Sequence, residues 1–562
     1  YEFNYLYNNA SRIFAATLAA DGPALNRPRS DEVGAATEEK EDDDGKKDSG
    51  KPLEFDVAGF NDRVVALDVP SGNHVGLAAN GGGVFFISAG SDGAQLRHYD
   101  IEKREAETVL EGISGYALSA DGKKLLWRHQ DKFGIADAKP GIEKDKTALD
   151  LDKLEMRVDP RVEWQQVYVD GWRILRDWFW DPGHHGQDWD AIRARYAPLV
   201  EHVAHRADLD YIFGELAGEL NAGHIYVNSS PDMPEVERVP AGMLGALIEG
   251  HESGYFRIAR IYPGENWHDY YRSPLTEAGV TAAEGDFILA VDGVSTRGVD
   301  NFYRLLENKG DRVVELTLND RASERGARVE RVRTVTSEVN LRYLDWVTSN
   351  RRMVHELSGG RIGYIHVPNT AVEGNRELLK GMLAEARRDA LIIDDRYNGG
   401  GFIPDRMIEL LARTPLNYWV WRGFEPQRRP LLSHDGPKAM LINGLASSGG
   451  DALPYYFRKL GLGPLIGTRT WGGLIGISGN PALADGSSII PATFRFLDTD
   501  GNWAVEDEGV APDIEVIDRP EAIAAGRDPS IEKAVEVLLE TLEKNPPTEI
   551  VMPPPPKDFR FD

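Results

Sequence analysis

The chain contains no cysteine, which removes disulfides, thiol nucleophiles and thiolate metal sites at once and leaves no redox marker of compartment. It also lacks any stretch approaching the roughly 18 consecutive apolar residues that a membrane helix needs. Positive charge is scarce: 64 Lys and Arg stand against 91 Asp and Glu, a formal net charge of −27. That balance repels nucleic-acid phosphates and anionic lipid, and no basic patch offsets it, so neither nucleic acid nor membrane is an expected partner. The opening residues, Tyr1-Glu2-Phe3-Asn4-Tyr5, have no basic n-region and no apolar h-region. They read as the middle of a β-domain, and we expect an upstream part of the protein beyond this chain.

What is present fits a soluble globular protein of several domains, amply long for an enzyme. The 562 residues are 41% hydrophobic and 28% charged, and that length predicts two to four cores. Residues 28–52 hold almost no large apolar side chains, the composition of a disordered acidic insertion. After them come short strands split by turn signals, Val64–Leu67, Val84–Ser88 and Ser119–Trp127. The rhythm suits propeller blades, and because a closed propeller needs at least about four blades, residues 1–155 are expected to be the C-terminal blades of a β-propeller. From about 160 the apolar spacing turns helical: Trp164, Val167, Trp172, Leu175 and Phe179 form a stripe that reads as helix core. This segment, 156–236, ends in Gly223-His224-Ile225-Tyr226-Val227, where a histidine between a glycine turn and an apolar strand start is well placed to face a cleft.

Residues 237–337 look like a PDZ domain, a β-rich module that binds extended peptides by strand addition. Gly242-Met243-Leu244-Gly245 reads as its carboxylate-receiving loop, and Glu284 to Val294 as its strand-turn-strand. From 338 to 545 apolar strands (363–367, 391–394, 439–443) alternate with helices near 373–387 and 404–413, which predicts an α/β domain with a mainly parallel sheet and sites at the carboxyl ends of its strands. Residues 546–562 are a Pro-rich tail. The expected fold class is thus multidomain, α/β plus all-β.

Two glycine-rich turns follow two of those strands. Asp395-Arg396-Tyr397-Asn398-Gly399-Gly400-Gly401 lets backbone N–H groups approach a ligand, though a loop that merely needs positive φ would look the same. Asn443-Gly444-Leu445-Ala446-Ser447-Ser448-Gly449-Gly450-Asp451 is a strand-to-helix corner whose Ser448, with an N–H directly after it, suits an acyl-enzyme nucleophile and half an oxyanion hole. Taken alone, such a serine is more often a helix N-cap.

These turns, with Arg469-Thr470-Trp471-Gly472-Gly473, resemble the tricorn and carboxyl-terminal-processing peptidase group. The tricorn branch is the closer match, because the histidine-ended helical segment, the propeller rhythm and Trp503-Ala504-Val505-Glu506 through Gly509-Val510-Ala511-Pro512-Asp513 accompany them. The two branches differ in their base. The carboxyl-terminal-processing enzymes resemble one another in using a lysine after the serine, and between Lys459 and Lys533 this chain has none. The resemblance therefore implies a serine peptidase with Ser448 as nucleophile, His224 as general base and Glu506 as the carboxylate that orients it. Gly449 N–H and the N–H of Gly400 or Gly401 would form the oxyanion hole. Tricorn peptidases carry a serine before this histidine, where the chain has Gly223, so either Glu506 reaches His224 directly or a water fills the gap.

The resemblance further implies a homohexamer that trims oligopeptides of unfolded or already cut proteins, downstream aminopeptidases as partners, and a cytoplasmic compartment, or a periplasmic or secreted one if a signal peptide stands upstream. Preference for basic residues before the cut is not implied, since 407–433 has no aspartate. No cofactor is expected, and no metal: His184 and His185 have no third ligand at usable spacing. A catalytically silent scaffold that binds peptides through its PDZ and propeller modules is the competing reading, with Gly223 its best support. A carboxyl-terminal-processing enzyme with another base is the third.

Overall fold

The structure, a computed structural model, describes residues 9–22, 25, 55–90, 93–228, 236–547 and 550–554. The 28–52 insertion, the opening pentapeptide and the end of the Pro-rich tail lie outside the described residues. Two compact units divide the chain, Tyr1–Arg157 and Val158–Asp562. No helix among the described residues is long and apolar enough to cross a membrane.

The first unit is built of antiparallel sheets. Asn73–Asn80, Gly83–Gly90, Gly93–Asp100 and Glu105–Glu111 form a four-stranded meander, and Gly115–Leu118, Lys124–His129 and Lys132–Asp137 a three-stranded one. Tight turns join the strands: at 80–83 the Asn80 side chain accepts the Gly82 N–H at 3.0 Å, the self-bonding that suits Asn to turns. Phe85, Leu96, Val109, Leu125 and Trp127 fill one core cluster.

The second unit opens with three helices, Pro160–Trp178, Trp189–Val200 and Arg206–Gly218. The first starts where it does because Asp159 caps it, accepting the Arg161 N–H, with Pro160 at the position that needs no N–H. Val167, Leu175, Leu209 and Phe213 are fully buried, and so are Ile475, Ile489 and Ala492 in the same cluster. At about 1.5–3 kcal/mol for each large apolar side chain removed from water, this shared core binds the helical segment to residues far along the chain. Tyr226–Asn228 completes the junction by pairing antiparallel with Ser488–Ile490.

A β-domain follows, with strand order Ala246–Gly250, Phe256–Ile261, Phe287–Val291, Val313–Asn319, Arg328–Arg333, and Val294–Ser295 paired on Phe287–Val291. Its Asp292-Gly293 turn has positive φ at both residues, 49° and 77°, as a two-residue hairpin requires.

The last region is a three-layer α/β sandwich. Five parallel strands, Ile362–His366, Ala390–Asp394, Lys438–Ile442, Leu465–Gly467 and Ile514–Glu515, lie in sequence order. Alternate residues serve the two faces. Tyr364, Ile392 and Leu441 pack with helices Val339–Leu357 and Pro529–Lys544, while Ile365, Ile393 and Met440 pack with Val372–Ala384, Pro404–Leu411 and Gly449–Lys459. Both glycine-rich turns leave the carboxyl ends of the second and third strands, side by side.

Candidate active site

Ser448 N-caps the helix Gly449–Lys459 just past the third parallel strand. Its backbone sits at φ 57°, ψ −114°, a conformation that costs a non-glycine residue about 1–3 kcal/mol. Asp451 holds it there. This buried carboxylate accepts the Ser448 N–H at 2.7 Å, the Gly472 N–H at 2.8 Å and the Gly473 N–H at 3.3 Å, and it stands in the first helical turn, where the dipole favours negative charge. Burial pushes the Asp451 carboxyl above its usual range, and hydrogen bonds from Thr470 and these amides pull the other way. In the sequence, the signal for Asp451 is the Ser-x-x-Asp spacing of a capping box.

The triple-glycine turn lies directly on this corner. A Cβ on Gly449 would collide with Thr370 Oγ1 and stand 2.6 Å from Gly401 O, and one on Gly400 would stand 2.7 Å from Ser448 Cβ, so side chains are sterically excluded from both. The Gly400 N–H is donated to Asn398 Oδ1 at 2.9 Å. It is thus engaged within the turn; the other amides read from sequence as oxyanion donors are those of Gly449 and Gly401. Among the described residues neither of those two N–H groups meets a backbone acceptor.

His224 arrives from the helical segment, fixed by the strand that follows it, with its ring 5.8 Å from that of Trp471 and 6.0 Å from that of Tyr226. Burial lowers its pKa below the ordinary histidine value, against the pull of the Glu506 and Asp451 charges. Its Nδ1 is buried without a hydrogen-bond partner in the protein. Glu506 does not fill that role directly: Oε1 accepts the Gly223 N–H at 3.0 Å, and Oε2 accepts the N–H groups of Leu474 and Ile475, each at 2.6 Å. Of the two links considered from sequence, direct contact is the one the structure does not show. Left-handed backbone gathers here, at His224 (φ 52°), Ser448 (φ 57°) and, around Glu506, at Val505 (φ 72°) and Asp507 (φ 66°). Such conformations persist where surrounding contacts enforce them, and they cluster at functional sites.

Ser448, Gly449, Gly401 and His224 line one cavity of about 440 Å³. Its other walls, unread in the sequence, are the apolar Phe402, Tyr456, Ile477, Phe494 and Phe496, with Asp405 and Arg495. Ser447 is not among the lining residues; its N–H is donated to Asn398 O at 3.0 Å. An arrangement of hydroxyl, imidazole and two paired amides at one cavity wall can attack a carbonyl and hold the resulting oxyanion.

The remaining candidates lie elsewhere. Gly242 and Gly245, read as peptide-binding amides, are engaged within the chain: Gly242 N–H is donated to Leu306 O at 2.8 Å and Gly245 N–H to Glu338 Oε1 at 2.9 Å. His184 stacks on Trp189 and meets Arg176 O through Nε2, and His185 donates from Nδ1 to Leu220 O at 2.8 Å.

Comparison with known proteins finds three family matches: the Tricorn protease C1 domain over residues 160–218, the Tricorn protease PDZ domain over 242–337, and Peptidase family S41 over 361–516. Tricorn protease homolog 1 of Streptomyces coelicolor is 33% identical over 567 residues, covering 97% of this chain and 52% of the homolog. Tricorn protease of Thermoplasma volcanium is 30% identical over 558 residues, covering 97% and 52%. A crystal structure of the tricorn protease superposes with a TM-score of 0.79 at 28% identity, over 88% of this chain and 49% of that one. The chain spans about half the length of the curated relatives it matches.

Proposed function

The chain belongs to the tricorn protease family, and on that premise we propose that it is a serine peptidase in which Ser448 is acylated and His224 is the general base. Neutral His224 takes the hydroxyl proton as Ser448 Oγ attacks the scissile carbonyl carbon. The oxyanion is received by the N–H groups of Gly449 and Gly401, each donor contributing about 3–4 kcal/mol to the transition state. The imidazolium gives its proton to the leaving amine, and the same histidine then activates the water that hydrolyses the acyl-enzyme. Glu506 stabilises the imidazolium by its charge, across a gap rather than by contact.

The observation that carries this reading is the cavity itself. A strained serine corner with two amides beside it faces a histidine supplied by a separate segment of the fold. Its aromatic walls suit an extended chain, and the substrates we propose are unfolded or already cut polypeptides. A homohexamer whose products pass to aminopeptidases is the assembly proposed from family membership.

The test is labelling with a fluorophosphonate and mapping of the adduct. We expect it on Ser448, lost in Ser448→Ala and kept in Ser447→Ala. An adduct on Ser447 sinks the register of the corner. No adduct in a cooperatively melting protein sinks the peptidase and leaves the silent scaffold.

A further inference from the structure

The loop that opens the β-domain has the layout of a carboxylate receptor. Residues 242–245 lead into Ala246–Gly250, which lies at the end of its sheet and pairs on one side only, with Phe256–Ile261, among the described strands. An extended peptide added along such an edge would bring its last carboxylate to the amides at the strand's start. The amides of Gly242, Met243, Gly245 and Ala246 are engaged within the chain. Gly245 and Ala246 both donate to Glu338 Oε1, at 2.9 and 3.2 Å. Gly242 and Met243 donate to Leu306 O and Val335 O, at 2.8 and 2.7 Å.

Glu338 is 7% exposed, and its second oxygen, Oε2, takes Arg342 Nη2 at 2.9 Å and Nε at 3.2 Å. Two backbone amides and a guanidinium are the set that would receive the carboxylate of a chain terminus. Glu338 stands at the N-cap position of the helix Val339–Leu357 without its side chain bonding the helix's first amides, and later residues on the same face continue the attachment. Arg342 Nη1 donates to Tyr262 OH at 2.7 Å, its guanidinium standing 4.6 Å from that ring, and Asp345 pairs with Arg260 at 2.6 Å. Farther along, Val347 and Val354 of this helix lie in the core beneath the parallel sheet.

We infer that Glu338 is the internal ligand of the β-domain's carboxylate site. The native loop therefore does not select free chain termini, and its binding capacity is spent on fastening the β-domain to the first helix of the α/β region. The ligand class of the site is a carboxylate, and an outside carboxylate binds there only when the side chain at 338 is withdrawn. This inference stands apart from the peptidase reading, since neither Ser448 nor His224 enters it.

The experiment uses the full chain and one fluorescent hexapeptide in two forms, free acid and C-terminal amide, followed by anisotropy. A second readout is thermal unfolding in sodium acetate against sodium chloride of equal ionic strength. In the native chain the two peptides bind alike and acetate behaves as chloride does. In Glu338→Ala the free acid binds tighter than the amide by about tenfold or more, and acetate raises the melting temperature along a saturating curve. If Glu338→Ala melts too early to titrate, Glu338→Asp, whose carboxylate is one methylene short of the loop, takes its place with the same outcomes. A native chain that prefers the free acid overturns the inference. So does a cooperatively melting variant that shows no such preference and no gain from acetate.

Discussion

Replacing Gly223 by serine is the sharpest perturbation of the proposed base. The residue precedes His224, donates its N–H to Glu506 Oε1 at 3.0 Å and has no left-handed φ, so its φ does not require glycine. A Cβ there would stand 3.1 Å from Glu506 Oε1, 3.8 Å from Gly473 Cα and 3.9 Å from Trp471 Cη2. The one tight approach is thus to the carboxylate oxygen that a serine hydroxyl would bond. Donating to Glu506, that hydroxyl has a lone pair left for the His224 Nδ1–H, which has no partner in the protein. A hydrogen bond to a charged group contributes about 1.5–3 kcal/mol, and at about 1.36 kcal/mol per decade of rate the upper limit is near a hundredfold. Glu506 must give by a few tenths of an ångström, lengthening its bonds to Leu474 and Ile475, which takes back part of the gain. We expect about a tenfold rise in kcat for a small peptide. A second signature is independent of that magnitude. Coupling the ring to Glu506 favours imidazolium, so the acidic limb of kcat/KM moves to higher pH. The assay is steady-state hydrolysis across that limb, with fluorophosphonate labelling to verify a competent serine. A folded, labelled variant whose limb stays put, or whose turnover falls, refutes the bridge between Glu506 and His224.

Other outcomes follow from the same geometry. Because burial holds His224 below its ordinary pKa, and the base acts only when neutral, kcat/KM of the native chain rises with pH through one ionisation below about 6.5 and is level above it; a limb above that value contradicts the burial argument. His224→Ala lowers kcat by several orders of magnitude without moving the unfolding midpoint appreciably, which parallel kinetics and denaturation would show. Asp451→Asn turns one acceptor into a donor facing the N–H groups of Ser448 or Gly472, and each buried amide left unsatisfied costs about 1–3 kcal/mol. Urea unfolding of the variant should show that loss together with lost labelling, and an unchanged midpoint would mean that Asp451 does not hold the corner.

The parallel strands at 362–366, 390–394 and 438–442 were readable because each is an apolar run buried on both faces, bounded by turn residues. The strands Leu465–Gly467 and Ile514–Glu515 were not, being two or three residues long and framed by glycine and proline. The serine corner and the triple-glycine turn announced themselves through composition, since close backbone approach leaves glycine as the residue that fits. Which amides remain free did not, because Gly400 is spent on Asn398 by a side-chain rotamer that no spacing encodes. The occupied loop of the β-domain was hidden for a different reason: its ligand, Glu338, lies 93 residues from Gly245, and one glutamate at a helix start carries no mark of what it binds. Phe494 and Phe496 drew no reading from the sequence, since alternation reveals a buried face but not that the other face borders a cavity.

The pairing of Tyr226–Asn228 with Ser488–Ile490 has a consequence for how the chemistry is switched on during synthesis. A growing chain that has just delivered Ser448 still lacks the strand that locks His224, the cavity wall at 494–496 and the carboxylate of Glu506. On the proposed roles, the Ser448 hydroxyl then has no positioned base to take its proton. Competence, on those roles, requires the shared core of Phe213, Leu209, Ile475 and Ile489 to bring the two distant segments together. Latency of the half-made chain, on the same proposed roles, follows from the order in which its parts emerge.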